Sequence, residues 1–377
     1  MKFFGGMPSY GLIVAVLMTC NLSEAQDTFR FRLGGNWTEI GDELDPASPG
    51  WRLNPNSEAT ELPGLGDEAR INWGGSTVTV DSAVPELNRI LIGVNEDGIL
   101  DVNNGGVLTT TEDIVVGNND IVDGTMNVNS GAEVNVGRIL WVTRGDANGA
   151  IDDTFGFLDI NAGGVVNVAS HLWWGVRGPA TVNISGTLNQ TGGILGLGTF
   201  NALDPSGGAA TVNVLSGGEF KLNNISGNPG TPSIQPGSSV NISGTGRMTL
   251  PNDLVGNVMA YVDAGLITGN GVAGAVDVSL EFVGGLSGDF NEDGVVDAAD
   301  YTVYRDNVGD IAGLPNDDGL GVVGQLHYNL WENQFGATAA VQTVVTAAVP
   351  AAAAVPEPGS LLMVTLLAIQ GLSRVRR

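Results

Sequence analysis

The chain has 377 residues, 57 of them glycine, and its 41 acidic and 15 basic side chains leave a net charge of −26. With lysine only at Lys2 and Lys221 there is no basic patch, which excludes nucleic acid and anionic membrane surfaces as partners. A 42% apolar fraction excludes a disordered acidic tail, and a single cysteine, Cys20, excludes a disulfide framework.

The first 25 residues read as a targeting segment. Lys2 precedes an apolar run over residues 11–18, and Ser23-Glu24-Ala25 forms a small-residue cleavage site, with Gln26 as the first residue after it. Leu17-Met18-Thr19-Cys20 faintly matches a lipoprotein box, but Thr19 fits poorly before the cysteine. Ordinary secretion after Ala25 is the expectation, and it removes the only cysteine. Residues 26–76, with Gly35-Asn36-Trp37 and Leu62-Pro63-Gly64-Leu65-Gly66-Asp67, read as an N-terminal cap over the region that follows.

Between about residues 77 and 250, within a repeat region expected over 77–285, one phrase returns. It appears as Leu100-Asp101-Val102-Asn103, Met126-Asn127-Val128-Asn129, Leu158-Asp159-Ile160-Asn161, Val182-Asn183-Ile184, Val212-Asn213-Val214 and Val240-Asn241-Ile242. The first residues lie 26, 32, 24, 30 and 28 positions apart, and a glycine-containing turn follows each phrase. A second alternating segment comes next, as in Glu133-Val134-Asn135-Val136 and Val165-Val166-Asn167-Val168. Alternation of period two with β-branched residues marks strands, and a fixed repeat length marks a solenoid.

A third segment per repeat aligns Ile90-Leu91-Ile92, Ile114-Val115-Val116, Ile139-Leu140-Trp141, His171-Leu172-Trp173 and Ile194-Leu195-Gly196. Its second position is always aliphatic, so it is expected to point inward. Three strands per repeat predict a mainly β fold, a right-handed parallel β-helix of about seven coils. The pattern resembles the β-rich passenger regions of autotransporter-like and planctomycete-type exported proteins.

Trp141 and Trp173 share a slot opposite the inward aliphatics, beside His171, Arg144 and Arg177. Two indoles there could form a platform for an extracellular polysaccharide, or they pack beneath a loop. Thr125-Met126-Asn127, Thr181-Val182-Asn183 and Thr211-Val212-Asn213 project Thr and Asn outward, as any such solenoid does. The Asn-x-Ser/Thr triplets at Asn36, Asn183, Asn224 and Asn241 reflect the abundance of asparagine in the turns.

The sharpest local motif runs from Asp289 to Asp300. Oxygen side chains fall at Asp289, Asn291, Asp293, Asp297 and Asp300, with Gly294 at the tight turn and a backbone carbonyl at Val295. That order suits Ca2+, a hard cation that takes six to eight oxygens. A helix over 298–307 is expected next, with Tyr301, Tyr304 and Val308 on its packing face. Asp300 stands where the EF-hand uses a bidentate Glu. The loop, with no helix before it, resembles a type I dockerin repeat, which implies a module over 286–337 and a cohesin-like protein partner. The second repeat, 27 residues on, has Asn316, Asp318, Leu320, Gly324 and His327 in the ligand slots and retains only a helix near 325–334. One calcium site and one vestigial loop are expected.

Residues 338–354, nearly all Ala, Val and Thr, read as a linker. Val355-Pro356-Glu357-Pro358-Gly359-Ser360 follows, then an apolar run over 361–372 and three arginines, Arg374, Arg376 and Arg377. The prolines keep the hexapeptide extended, and the run is short for a membrane span of ~30 Å. This 355–377 segment resembles the PEP-CTERM sorting signal. The resemblance implies a transient encounter with an exosortase-type membrane protease, which removes the tail, and a final location at the cell surface or in the extracellular matrix.

Only His171 and His327 could serve a Ser–His or Cys–His nucleophile, and no mature cysteine remains. Acids on a solenoid face are the one catalytic option, as in lyases and glycosidases of that fold. Asp146, Asp152, Asp153 and Asp159 are the candidates, with Arg138, Arg144 or Arg177 to neutralise a uronate. The balance favours a non-catalytic exported spacer or adhesin. The alternative is a carbohydrate-binding or polysaccharide-degrading component recruited through the dockerin-like module.

Overall fold

A computed structural model describes residues 27–41, 48–53, 57–72, 76–118, 121–145, 154–201, 204–205, 208–226, 233–283 and 285–348. The expected signal segment with Ala25, the acids Asp146, Asp152 and Asp153, and the hexapeptide with Pro356, Glu357 and Pro358 lie outside the described residues.

The structure is mainly β, with helices α1 (Val255–Asp263), α2 (Ala298–Asp306) and α3 (Gln325–Gln334). The returning phrase builds one sheet, called here the second. Its strands Gly98–Val102, Asp123–Val128, Phe155–Ile160, Pro179–Ile184, Ala209–Val214 and Ser239–Ile242 pair in parallel. Leu100, Met126, Leu158, Val182, Val212 and Val240 stand opposite one another, so the phrase alignment is the observed register.

The alternating segments after the turns build a third sheet, Val107–Thr110, Glu133–Val136, Val165–Val168, Thr187–Gln190, Glu219–Lys221 and Arg247–Pro251. Glu68–Ile71, Arg89–Ile92, Ile114–Val116, Leu140–Val142, Leu172–Trp174 and Leu195–Leu197 form the first. Between Gly98 and Leu197 consecutive strands visit the second, third and first sheets in turn, so each strand's parallel neighbour is one repeat away.

Alternation explains the burial. In the second and third sheets every other residue faces inward, and those side chains join one hydrophobic core running from Phe29 to Ala347. Each enclosed Val, Leu or Ile contributes about 1.5–3 kcal/mol relative to exposure. Outside, amides bond along the stack. Asn103 Nδ2 donates to Asp81 Oδ1 at 2.8 Å, Asn129 to Asn103 at 2.8 Å and Asn161 to Asn129 at 2.8 Å.

The first sheet corrects one expectation. Ile90 and Ile114 pair in register with Leu140, Leu172 and Leu195 and point inward. Leu91 and Val115 occupy the outward row of Trp141 and Trp173, one position from the slot expected. Both faces of these strands are apolar and buried, so alternation carries no phase here.

The ends differ from expectation too. Parallel pairing reaches back into the expected cap, where Thr28–Arg32 lies beside Glu68–Ile71 and Gly35–Asn36 beside Ser76–Val80. Beyond it Gly50–Leu53 pairs antiparallel, and Trp51 meets Phe31 and Trp37 edge-on at 4.9 and 4.6 Å. The 338–354 segment is not a plain linker: Ala340–Ala347 is a strand. It lies antiparallel between Arg247–Pro251 and Val276–Val283, burying Thr343, Val344 and Val345. Its alternating β-branched residues fill a gap beside the third sheet. Residues 286–337 are therefore an excursion between two adjacent strands, with Val283 opposite Ala340.

Candidate functional site: an acidic loop and its altered twin

The loop Asp289–Asp300 is folded by its own carboxylates. Asp289 Oδ1 accepts from the Asp293 N–H (3.1 Å) and Oδ2 from the Gly294 N–H (2.8 Å). Asn291 Oδ1 also accepts from the Asp293 N–H at 3.0 Å, and Asp293 Oδ1 from the Val295 N–H at 3.0 Å. Gly294 has φ +84°, a left-handed conformation that costs little without a Cβ. Asp297 caps α2 by accepting from the Ala299 N–H (2.7 Å). Asp300 reaches back to accept from the Asn291 and Asp297 N–H groups at 3.0 and 2.8 Å, completing a capping box.

The electrostatics of this loop are unusual. Asp289 is 3% exposed and Asp300 fully buried, yet neither pairs with a described basic side chain. Arg305, on the following helix, is bound to Asp306. Buried carboxylates without a counter-charge are costly. Each oxygen that accepts one N–H keeps a second lone pair, and the Val295 carbonyl has no partner among the described residues. The donor set is entirely oxygen, as a hard cation requires. As they stand, no three His, Cys, Asp or Glu among the described residues are arranged to hold a metal ion.

A near-twofold echo relates the two halves of the module. The Gly336 N–H donates to Val296 O at 2.8 Å and the Val296 N–H to Ala337 O at 3.0 Å. Twenty-seven residues away in register, the Gly309 N–H donates to Val323 O at 2.9 Å and the Val323 N–H to Asp310 O at 2.9 Å. Gly319 and Gly321 repeat the left-handed backbone of Glu292 and Gly294. Between α2 and α3, Tyr301, Tyr304, Tyr328 and Trp331 pack with ring centroids 5.1–6.3 Å apart. The Trp331 indole N–H donates to Asp297 O at 2.7 Å, tying one helix to the other's loop.

The chemistry differs between the halves. Where Asp300 stands in the first, buried His327 stands in the second. Its Nδ1 accepts from the Gly324 N–H at 3.3 Å, and its Nε2 lies 3.1 Å from Asp317 Oδ2. Asp317 was missed by sequence reasoning, because the repeat alignment places Asn316 and Asp318 in ligand slots. The signal was His327 at a position that otherwise needs an acid.

The Leu314 N–H foremost, then the Gly319 N–H and His327, holds the Asp317 carboxyl below the usual carboxylate range. A depressed folded value adds stability above the ordinary Asp range and loses it as pH falls through the lowered value. Asp317→Asn is therefore expected to flatten the acid limb of module unfolding below the ordinary Asp range of about pH 4, followed by Trp331 and tyrosine fluorescence. An unchanged acid limb would remove Asp317 from this role.

Trp141 and Trp173 are largely engaged with their neighbours. Trp141 and Trp173 do share a slot. However, Trp173 is only 9% exposed and stacks on His171 at 5.0 Å, and its ring lies where a Cβ on Gly196 would fall. Trp141 packs on Leu91, Val94 and Val115, its indole N–H donates to Asp113 Oδ2 at 3.1 Å, and the Arg144 guanidinium lies 5.4 Å from its ring centroid. Arg138 is bound to the same Asp113 carboxylate at 2.8 and 2.9 Å. Asp159 accepts from Asn183 Nδ2 at 2.6 Å in the outward ladder of the second sheet.

No protein-family model, no curated protein and no solved structure matches the chain.

Proposed function

We propose that this chain is a non-catalytic exported protein of the cell surface or extracellular matrix: a stiff β-helical spacer carrying one calcium-locked module and a disposable sorting tail. The observation that carries the spacer is the cycling of strands through three sheets at one-repeat register, around a single core. That cycling supports a right-handed parallel β-helix of about seven coils. Small-angle scattering that returns a compact sphere and not a rod would sink it.

In the module, Asp289, Asn291, Asp293, Asp297 and Asp300, with the Val295 carbonyl, would hold Ca2+. When bound, the ion would neutralise the buried carboxylates and tie the loop to the start of α2. His327 in place of the twelfth ligand favours one cation and not two. The seating of the module between Val276–Val283 and Ala340–Ala347 favours a locking role over the cohesin-like partner that dockerin resemblance implies.

Export and sorting rest on the 1–25 and 355–377 segments. The intact mass of the native protein, recovered from medium and envelope, tests both. It is expected to match a chain from Gln26 to about Val355 or Pro356, with or without an added lipid-like increment. A mass that retains residues 361–377 would mean that no exosortase-type protease removes the tail.

A further inference from the structure

We propose that the outer face of the third sheet is a binding trough for a neutral, hydroxyl-rich polysaccharide. The inference goes beyond the spacer reading and does not depend on the acidic loop. Six outward side chains, Thr109, Asn135, Asn167, Asn189, Lys221 and Thr249, stand in one row by strand register. Neighbours along it are separated by about one strand spacing, ~4.8 Å. Two shallow depressions, of about 440 and 470 Å3, run beside this row and meet at Thr191. Pro251, Asn252 and Gln342 wall the far end.

The chemistry of the row selects the occupant. In the turn ladder the amides of Asn103, Asn129 and Asn161 each donate to the residue one repeat back. The trough row is not saturated in this way. Asn167 Nδ2 donates to Asn135 Oδ1 at 2.9 Å and lies 3.5 Å from Glu133 Oε1, and there the bonding stops. The Asn189 amide engages no described side chain, leaving both donor and acceptor for a ligand. The row's only charge, Lys221, is paired with Glu219 at 2.6 Å.

A polyanion would meet no free base in the row and a chain of net charge −26. A polycation would find carboxylates only at the margin of the row, Glu86 and Glu133 beside it and Glu219 already paired with Lys221. A peptide strand would find no free backbone edge along the row, because its strands from Glu133–Val136 to Arg247–Pro251 are paired on both sides and Val107–Thr110 is bridged to Ala83 and Leu87. The remaining match is an extended pyranose polymer. Its hydroxyls both donate and accept, and its repeat is close to one strand spacing.

The test is affinity gel electrophoresis of the full chain in gels containing soluble β-glucan, glucomannan, galactomannan or polygalacturonate. At least one neutral polymer is expected to retard the protein. Asn135→Ala/Asn167→Ala/Asn189→Ala is expected to weaken that binding roughly tenfold or more, the loss of two or three hydrogen bonds. Thr191→Trp, which blocks the meeting point of the depressions, should do the same. Asn127→Ala, on the second sheet, should leave binding unchanged, and far-UV circular dichroism checks that each variant is folded. The proposal falls on any of four results: no retardation by a neutral polymer, retardation by polygalacturonate alone, full binding by both trough variants, or loss on Trp141→Ala with the trough variants intact. None of these bears on the rod shape or the tail, which scattering and mass test separately.

Discussion

Chelating calcium is expected to raise amide exchange across residues 289–300 and the start of α2, while exchange in strands such as Met126–Val128 and Val166–Val168 stays slow. The cause is the pair of buried carboxylates, Asp289 and Asp300, with no cation among the described side chains. Without an ion, the backbone N–H groups of the loop are their only stabilising partners among the described residues. An ion that binds only the folded module stabilises it by about 2.7 kcal/mol at a hundredfold excess over its dissociation constant and about 4 at a thousandfold.

Asp300→Ala should abolish the response to calcium. It should also destabilise the calcium-free module, because it frees the Asn291 and Asp297 N–H groups and removes half of the capping box. Asp297→Asn separates the two effects: it retains the capping oxygen that accepts from the Ala299 N–H but removes a charge and a ligand oxygen. Exchange that is identical with calcium and with chelator would overturn the assignment.

Trp174→Ala is expected to cost about 3–5 kcal/mol in the body of the protein. Trp174 is fully buried, stands between Val142 and Leu197 in the first sheet, and stacks on Phe220 of the third at 5.8 Å and 17°. Truncation would leave a void spanning two sheets that neighbouring strands, fixed by their ladders, cannot close. In a chain of this size each kcal/mol lowers the melting temperature by roughly 1–2 °C. Leu280→Ala, at a site 46% exposed, should change little by comparison. Equal melting temperatures for the two variants would mean that Trp174 does not bridge the sheets.

Legibility in the sequence followed the physics of exposure. The second sheet was readable residue by residue because one face is apolar and the other polar, so Leu100, Met126, Leu158 and Val182 announce their own phase. The first sheet was not: with Leu91, Val115 and Trp173 buried outside and Ile90, Ile114 and Leu172 inside, a shift of one residue changes nothing in the pattern. The acidic loop and its twin were legible through side-chain order and a 27-residue offset. The Asp317–His327 contact was not, because it lies off the ligand positions. Ala340–Ala347 was read as a linker because alanine and threonine are poor markers on their own; only a vacant edge beside Arg247–Pro251 makes them a strand.

The siting of residues 286–337 between two adjacent antiparallel strands has a mechanical consequence. Tension drawn on the chain at Ala348 enters Ala340–Ala347, which is bonded along its length to Arg247–Pro251 on one side and Val276–Val283 on the other. That strand is loaded in shear, so its ladder bonds share the force instead of opening singly. The module leaves the sheet after Val283 and returns at Ala340, its ends clamped side by side, and so lies off the load path. Extension by the module's contour length would follow only after that strand slips.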